Sequence, residues 1–283
     1  MIYRGLYSYT KIDGEKDGRT HIVACANAAD EIKTLARQIN RLVRAEGARY
    51  KDIAVVCCDL QAYAPYIQSA FKSFSIPYYA DVKQSLVDQS LTKLVVSAIK
   101  AVGDSYSRSS VSEFVKQTIL GFDFGEVCAF DNYCAKYAID RTRFLSPFTI
   151  GEEKELSVAE KIRAKAVELL RALDTEGNLI KDRVNAVKRF LKNCDASALA
   201  QQLADWQNQN GFSEYAAITL QSDKKIDFIL EQCDSMLGHN VSDWEDFCGI
   251  LVTAFESVKM SNVPLYSDSV FIGETSENRY ANV

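Results

Sequence analysis

The segment RYKDIAVVCCDLQAYAPYIQSAFKSFSIPYYAD, from Arg49 to Asp81, constrains the fold more than any other part of this chain. Asp52–Cys58 is an apolar run with no alternation of polar residues, which marks a strand buried on both faces of a parallel sheet covered by helices. Asp59 stands where a helix N-cap belongs, and Tyr63, Tyr66, Ile67, Ala70, Phe71 and Phe74 follow at helical spacing. Ile76-Pro77 then turns the chain into a short strand, Tyr78–Ala80. The preceding segment repeats the pattern. THIVACA (residues 20–26) reads as a strand and Asn27 as an N-cap. Ile32, Leu35, Ala36, Ile39, Leu42 and Val43 line one helix face, and Gly47 ends the helix. Strand, helix, strand at this spacing is a crossover unit.

A further helix carries Leu91, Leu94, Val95, Ala98, Ile99 and Val102. After Gly103 only helical stripes recur. They include Val111, Phe114 and Val115; Val127, Phe130, Cys134 and Tyr137; Val158 through Leu173; Val184, Val187 and Leu191; Leu199, Leu203 and Trp206; Ile226 through Leu237; and Phe247 through Val258. The most loop-like stretch is Ser146–Glu155. Strand character returns only at Asp268–Gly273, whose cheapest partners are the strands of residues 20–80. The expected architecture is therefore α/β, a partial parallel sheet over residues 1–103 and 261–283, with an all-α domain over residues 104–260 inserted into it. The sheet is started and resumed but not finished, so the chain is expected to be a piece of a longer protein.

Charge narrows the function classes. Over the 283 residues the net charge is −5, but residues 1–100 hold 14 Lys+Arg against 10 Asp+Glu, and the remainder 19 against 28. An acidic chain is a poor nucleic-acid binder in bulk, so a DNA-facing surface is expected only in the first third. There Lys33, Arg37, Arg41 and Arg44 fall on one helix face and are the candidate contacts to DNA phosphates; the alternative is the solvated side of an amphipathic helix. Tyr78-Tyr79 offers base stacking against ordinary sheet packing, with packing favoured.

Catalytic and metal chemistry find no foothold. A phosphate loop needs G-x-x-x-x-G-K-[ST], and no Gly-Lys pair occurs anywhere; Gly14–Gly18 is acidic and reads as a solvated loop. The eight cysteines form no C-x-x-C. They read as reduced, buried thiols, and Cys57-Cys58, pointing to opposite strand faces, as packing. His21 and His239 have no ligand-spaced neighbours. Asp243 is better placed to start a helix than to hold magnesium. No apolar run reaches the roughly 18 residues of a membrane span, and MIYRGLYSYT is no signal sequence; a cytoplasmic protein without membrane association is expected.

Four segments, THIVACANAADEIKTLARQI, RYKDIAVVCCDLQAYAPYIQSAFKSFSIPYYADVKQSL, FDNYCAKYAIDR and NVPLYSDSVFIGETSENRYANV, resemble in order and spacing the AddB (RexB) component of the AddAB helicase–nuclease family. The resemblance implies a RecA-like, P-loop NTPase-like domain of the superfamily 1 helicase type, interrupted by a helical insertion. It implies a DNA-guiding part without its own ATPase or nuclease residues, in a complex that resects double-strand breaks for homologous recombination. Partners would be an AddA-type helicase/nuclease subunit and DNA. ATP, Mg2+ and an iron–sulfur cluster would belong to the parent complex and not to these residues. Active UvrD-like relatives often carry an Arg at the end of the strand matching Asp52–Cys58, where Cys58 stands here, in keeping with a degenerate ATP site, and Arg279 matches an Arg of the family's terminal stretch. The remaining readings are a piece of an active UvrD-like helicase and a helical protein-interaction module unrelated to DNA.

Overall fold

The computed structural model describes residues 20–80, 82–260 and 268–275. The chain divides into two compact units, one formed by Met1–Ala80 with Tyr266–Val283, the other by Asp81–Leu265.

The first unit is a three-stranded parallel sheet with helices. Strands β1 (Ala54–Cys57) and β2 (Tyr78–Ala80) both pair with a strand from the far end of the chain, numbered β5 (Val270–Glu274), which lies between them. Phe271 faces Ala54 on one side and Tyr79 on the other. The return of the chain to the sheet thus matches the sequence pattern, but the burial is redistributed. Val270 and Ile272 of β5 are fully buried, whereas Val56 of β1 is 44% exposed. The expectation that Asp52–Cys58 is covered on both faces is corrected, because among the described residues β1 is an edge strand and β5 takes the centre.

Two helices accompany the sheet. Helix α1 (Ala28–Ala45) begins at Asn27, whose side chain accepts from Asp30 N, and buries Ile32, Ala36 and Ile39. Gly47 follows it with φ +75°, the left-handed turn that an L side chain resists. Helix α2 (Leu60–Ser73) begins at Asp59, which accepts from Ala62 N at 2.9 Å, and buries Ile67, Ala70 and Phe71. The strand expected over residues 20–26 is not formed: the segment has no ladder partner among the described residues, and Ile22 is 96% exposed. A strand exists by its ladder bonds, and this segment is separated from β1 by a groove of about 510 Å3 lined by Val23, Cys25, Leu35 and β1 itself.

The second unit is helical. Helices α3 (Ser90–Gly103), α4 (Arg108–Val115), α5 (Phe124–Lys136), α6 (Glu153–Leu170), α7 (Ile180–Asn193), α8 (Ala196–Gln209), α9 (Ser213–Leu237) and α10 (Trp244–Ser257) surround one apolar core. Phe114, Phe130, Phe144, Phe190, Phe247 and Phe255 are its largest wholly buried side chains. The chain enters and leaves this unit side by side: β3 (Gln84–Ser85) pairs antiparallel with β4 (Lys259–Met260), and Leu86 N donates to Val258 O at 3.0 Å. A chain that enters and exits at one ladder is joined like an insertion. Helix α3, grouped with the α/β segment on sequence grounds, packs instead against α10 and α4, because Leu91, Leu94, Val95 and Ala98 face the helical core. Asp243 caps α10, accepting from Asp246 N at 2.8 Å, as its position before the helix suggested.

Candidate nucleic-acid interface

Helix α1 is amphipathic by sequence, and its two faces separate cleanly. While Ile32, Ala36 and Ile39 turn inward, Lys33, Arg37, Arg41 and Arg44 are all exposed. Their steps of four, four and three residues keep the four cations on one stripe along about 16 Å of helix, at a rise of about 1.5 Å per residue. Only Arg41 has an ion-pair partner among the described residues, Glu46 at 3.8 Å, and both ends of that pair are solvated. Arg44 lies in the last turn, where positive charge meets the negative end of the helix dipole; Asp30 and Glu31 lie in the first turn. Such a stripe suits contacts to a polyanion's backbone without reading bases, and it is equally the form of a solvated face of an amphipathic helix.

The carboxyl ends of the strands have the opposite character. Ligands of open α/β sheets bind there, and phosphates favour the helix N-terminus that follows the strand. Here the N-terminus of α2 is satisfied by the protein's own carboxylates. Leu60 N donates to Glu274 Oε1 at 3.0 Å, and Ala62 N to Asp59 Oδ1. Burial and the nearby Glu274 push the Cys57 thiol above its ordinary value, and its sulfur lies 3.7 Å from Gly273 O. Cys58 is exposed. The carboxylates of Glu274 and Asp59 thus take two N–H groups of the helix N-terminus that a phosphate would otherwise use. Glu274 escaped sequence reasoning because it reaches Leu60 only through the β1–β5 register, across 214 positions.

The remaining candidates fall to packing. Tyr78 sits edge-on to Phe71 with ring centroids 5.3 Å apart, and Tyr79 lies 5.9 Å from Phe271; both belong to the sheet, not to a stacking platform. Among the described residues no three His, Cys, Asp or Glu side chains gather as metal ligands. Burial pushes the Cys134 and Cys194 thiols up to about 12. No described helix is long and apolar enough to cross a membrane. The Gly14–Gly18 loop and Arg279 lie outside the described residues.

Comparison with known proteins sets this geometry in context. No family model matches the chain. Against curated proteins, it is 25% identical over 294 residues to the ATP-dependent helicase/deoxyribonuclease B subunit of Alkaliphilus oremlandii, covering 96% of this chain and 25% of that protein. The chain is a homologue of these AddB-type proteins. The corresponding helicase/deoxyribonuclease protein of Bacillus anthracis is 25% identical over 301 residues (96% of this chain, 25% of that protein). That of Clostridium perfringens strain 13 is 26% identical over 300 residues (96% and 26%). The chain thus spans about a quarter of the length of the AddB-type proteins it matches. The similarity covers both the strand–helix segments and the helical unit, which supports the resemblance first seen in four short stretches.

Proposed function

We propose that this chain is a non-catalytic, DNA-guiding part of an AddB-type ATP-dependent helicase/deoxyribonuclease protein, acting in the end resection of double-strand breaks for homologous recombination. The observation that carries it is the similarity to AddB-type proteins along 96% of the chain, and the α1 stripe supplies the surface. On this reading the three parallel strands belong to a RecA-like domain of the superfamily 1 helicase type, with Asp81–Leu265 as its inserted helical domain. The role is guidance, because the strand ends that would hold a nucleotide present Glu274 and Asp59. On this reading ATP and Mg2+ would be gripped elsewhere in the complex, and so would an iron–sulfur cluster. An AddA-type helicase/nuclease subunit would be the partner.

Fluorescence anisotropy of labelled single-stranded DNA, at rising salt, tests the role. Each phosphate neutralised on a single strand contributes about 0.7 to the slope of log affinity against log salt, so four contacts give about 3. Replacing Lys33, Arg37, Arg41 and Arg44 by Ala is expected to remove that slope together with most of the affinity. An unchanged slope would remove α1 from the DNA path. ATP hydrolysis by this chain alone would overturn the non-catalytic reading.

A further inference from the structure

The groove of about 510 Å3 beside β1 is walled by that strand, by residues 20–26, and by α1 and α2. Along residues 20–26 it is lined at every second position, by His21, Val23 and Cys25, while Ile22 between them is 96% exposed. On the β1 side Val56 is 44% exposed. The whole groove lies within one compact unit, and its volume falls in the range of ligand clefts, about 300–1,000 Å3.

The α1 wall narrows what such a groove can take. A helix turns about 100° per residue, so spacing along the chain orders its faces. Lys33, Arg37, Arg41 and Arg44 share one sector of about 80°. Thr34 and Gln38, one residue on from Lys33 and Arg37, form the next row, and both line the groove. Leu35 and the buried Ile32 complete that wall. The cation row therefore adjoins the groove's polar row. Thr34 is half-buried and Gln38 exposed, and neither side chain has a hydrogen-bond partner among the described residues. Helix α2 contributes Tyr63, whose hydroxyl donates to Glu31 Oε2 at 2.9 Å. That bond fixes the ring and engages the one carboxylate among the lining residues.

Single-stranded DNA is held by cations that follow its phosphates, together with rings and hydrogen-bonding groups that receive its unstacked bases. The stripe supplies the first. The groove supplies the second, with an aromatic ring and apolar lining for the face of a base, and a free hydroxyl and amide for its edge. A phosphate is not the occupant, because no Lys or Arg lines the groove. A wholly apolar occupant would leave the Thr34 and Gln38 groups unpaired on burial.

We propose that the groove beside β1 is a base-binding slot, which receives an unpaired base of the DNA strand whose phosphates follow the α1 stripe. Tyr63 stacks on the base, and Thr34 and Gln38 hydrogen-bond its edge. The proposal rests on the DNA-guiding reading and extends it, giving the guide a hold on bases as well as on the backbone.

Abasic single-stranded DNA separates the two holds, since it keeps every phosphate and lacks the bases. Anisotropy titrations of this chain compare a natural oligonucleotide with an abasic one of equal length at the same salt. Wild type is expected to bind the natural strand at least about fivefold more tightly, the effect of one stacked base. Thr34→Ala/Gln38→Ala is expected to reduce that preference several-fold and Tyr63→Leu to abolish it, with abasic affinity and salt slope unchanged in both. Circular dichroism checks that the variants are folded; the double variant changes only side chains on the surface of α1 and carries the test by itself should Tyr63→Leu unfold. Equal wild-type affinity for the two strands overturns the inference and leaves the guiding reading standing. So does a wild-type preference retained in every folded groove variant, which would place the base contacts elsewhere. Absence of binding to either strand at low salt removes the guiding reading and the inference with it.

Discussion

Glu274, the last residue of β5, accepts a hydrogen bond from the backbone N–H of Leu60, the first residue of α2, at 3.0 Å. The contact closes the sheet onto its helix across 214 positions of sequence, and it places a negative side chain at the positive end of the helix dipole. Thr275 N, donating to Cys57 O at 3.1 Å, continues the same seam. Glu274 therefore serves as a remote helix cap, at the place where a nucleotide-binding relative would hold phosphate.

Removing that cap has a definite cost. Glu274→Ala is expected to destabilise the chain by about 0.5–2 kcal/mol, the range for losing an N-terminal cap, and Glu274→Gln by less, since its amide oxygen still accepts. Urea unfolding monitored by circular dichroism reads the difference; equal losses for both variants would show that the hydrogen bond carries nothing beyond the charge.

Helix–helix contact in the second unit makes a prediction that local propensity would get backwards. Gly103 ends α3, and a Cβ built there would lie 2.9 Å from the Cβ of Trp244 in α10. Gly→Ala in a helix ordinarily gains up to about 1 kcal/mol. Here the obstacle is close to the Trp244 backbone and cannot swing aside, so overpacking at about 1–3 kcal/mol prevails. Gly103→Ala is expected to lower the unfolding midpoint, and a raised midpoint would show that α3 and α10 part at no cost.

How much of this was legible beforehand depends on range. Local signals held: Asn27, Asp59 and Asp243 cap the helices they precede, and Gly47 takes the left-handed turn after α1. The strand at Val270–Glu274 was legible as a strand, but its central place was not, because periodicity does not say which strand pairs with which. The apolar run of residues 20–26 looked like a strand and is unpaired, since ladder partners are not written in the run itself. Likewise the four cations of α1 were legible at helical spacing, whereas Glu274 was invisible without the register, and Trp206 read as core because a stripe gives a face but not what covers it.

Alkaline pH tests the buried groups. Burial pushes Cys134 and Cys194 from 9.0 up to about 12, and Tyr106 from 10.0 up to about 12. In the unfolded chain these groups release their protons near their ordinary values, while the folded chain retains them. Above about pH 9 the native state therefore binds more protons than the unfolded state, and stability falls as pH rises. The stabilisation is fully present below pH 9 and is lost progressively toward pH 12. Replacing Cys134 and Cys194 by Ala is expected to flatten the decline of unfolding free energy over that window, a measurement best made by urea unfolding at successive pH values under reducing conditions. An undiminished decline would assign it to other groups.

On α1 the cations are unequal, and the inequality can be measured. Arg41 lies 3.8 Å from Glu46, whereas Lys33, Arg37 and Arg44 have no ion-pair partner among the described residues. To contact a phosphate, Arg41 must give up part of an existing attraction, small though an exposed pair is at about 0–1 kcal/mol; the other three give up none. Arg37→Ala is therefore expected to weaken single-stranded DNA binding more than Arg41→Ala at the same salt. Glu46→Gln acts in the opposite direction: it frees Arg41 and removes a negative charge that faces the same anion, so affinity is expected to rise, most at low salt where screening is weakest. Anisotropy titrations of the three variants decide it. If Glu46→Gln leaves the affinity unchanged while Arg37→Ala lowers it, the DNA track passes the start and middle of the helix and leaves it before Arg41. If neither changes it, the stripe is the solvated face of an amphipathic helix and the DNA runs elsewhere.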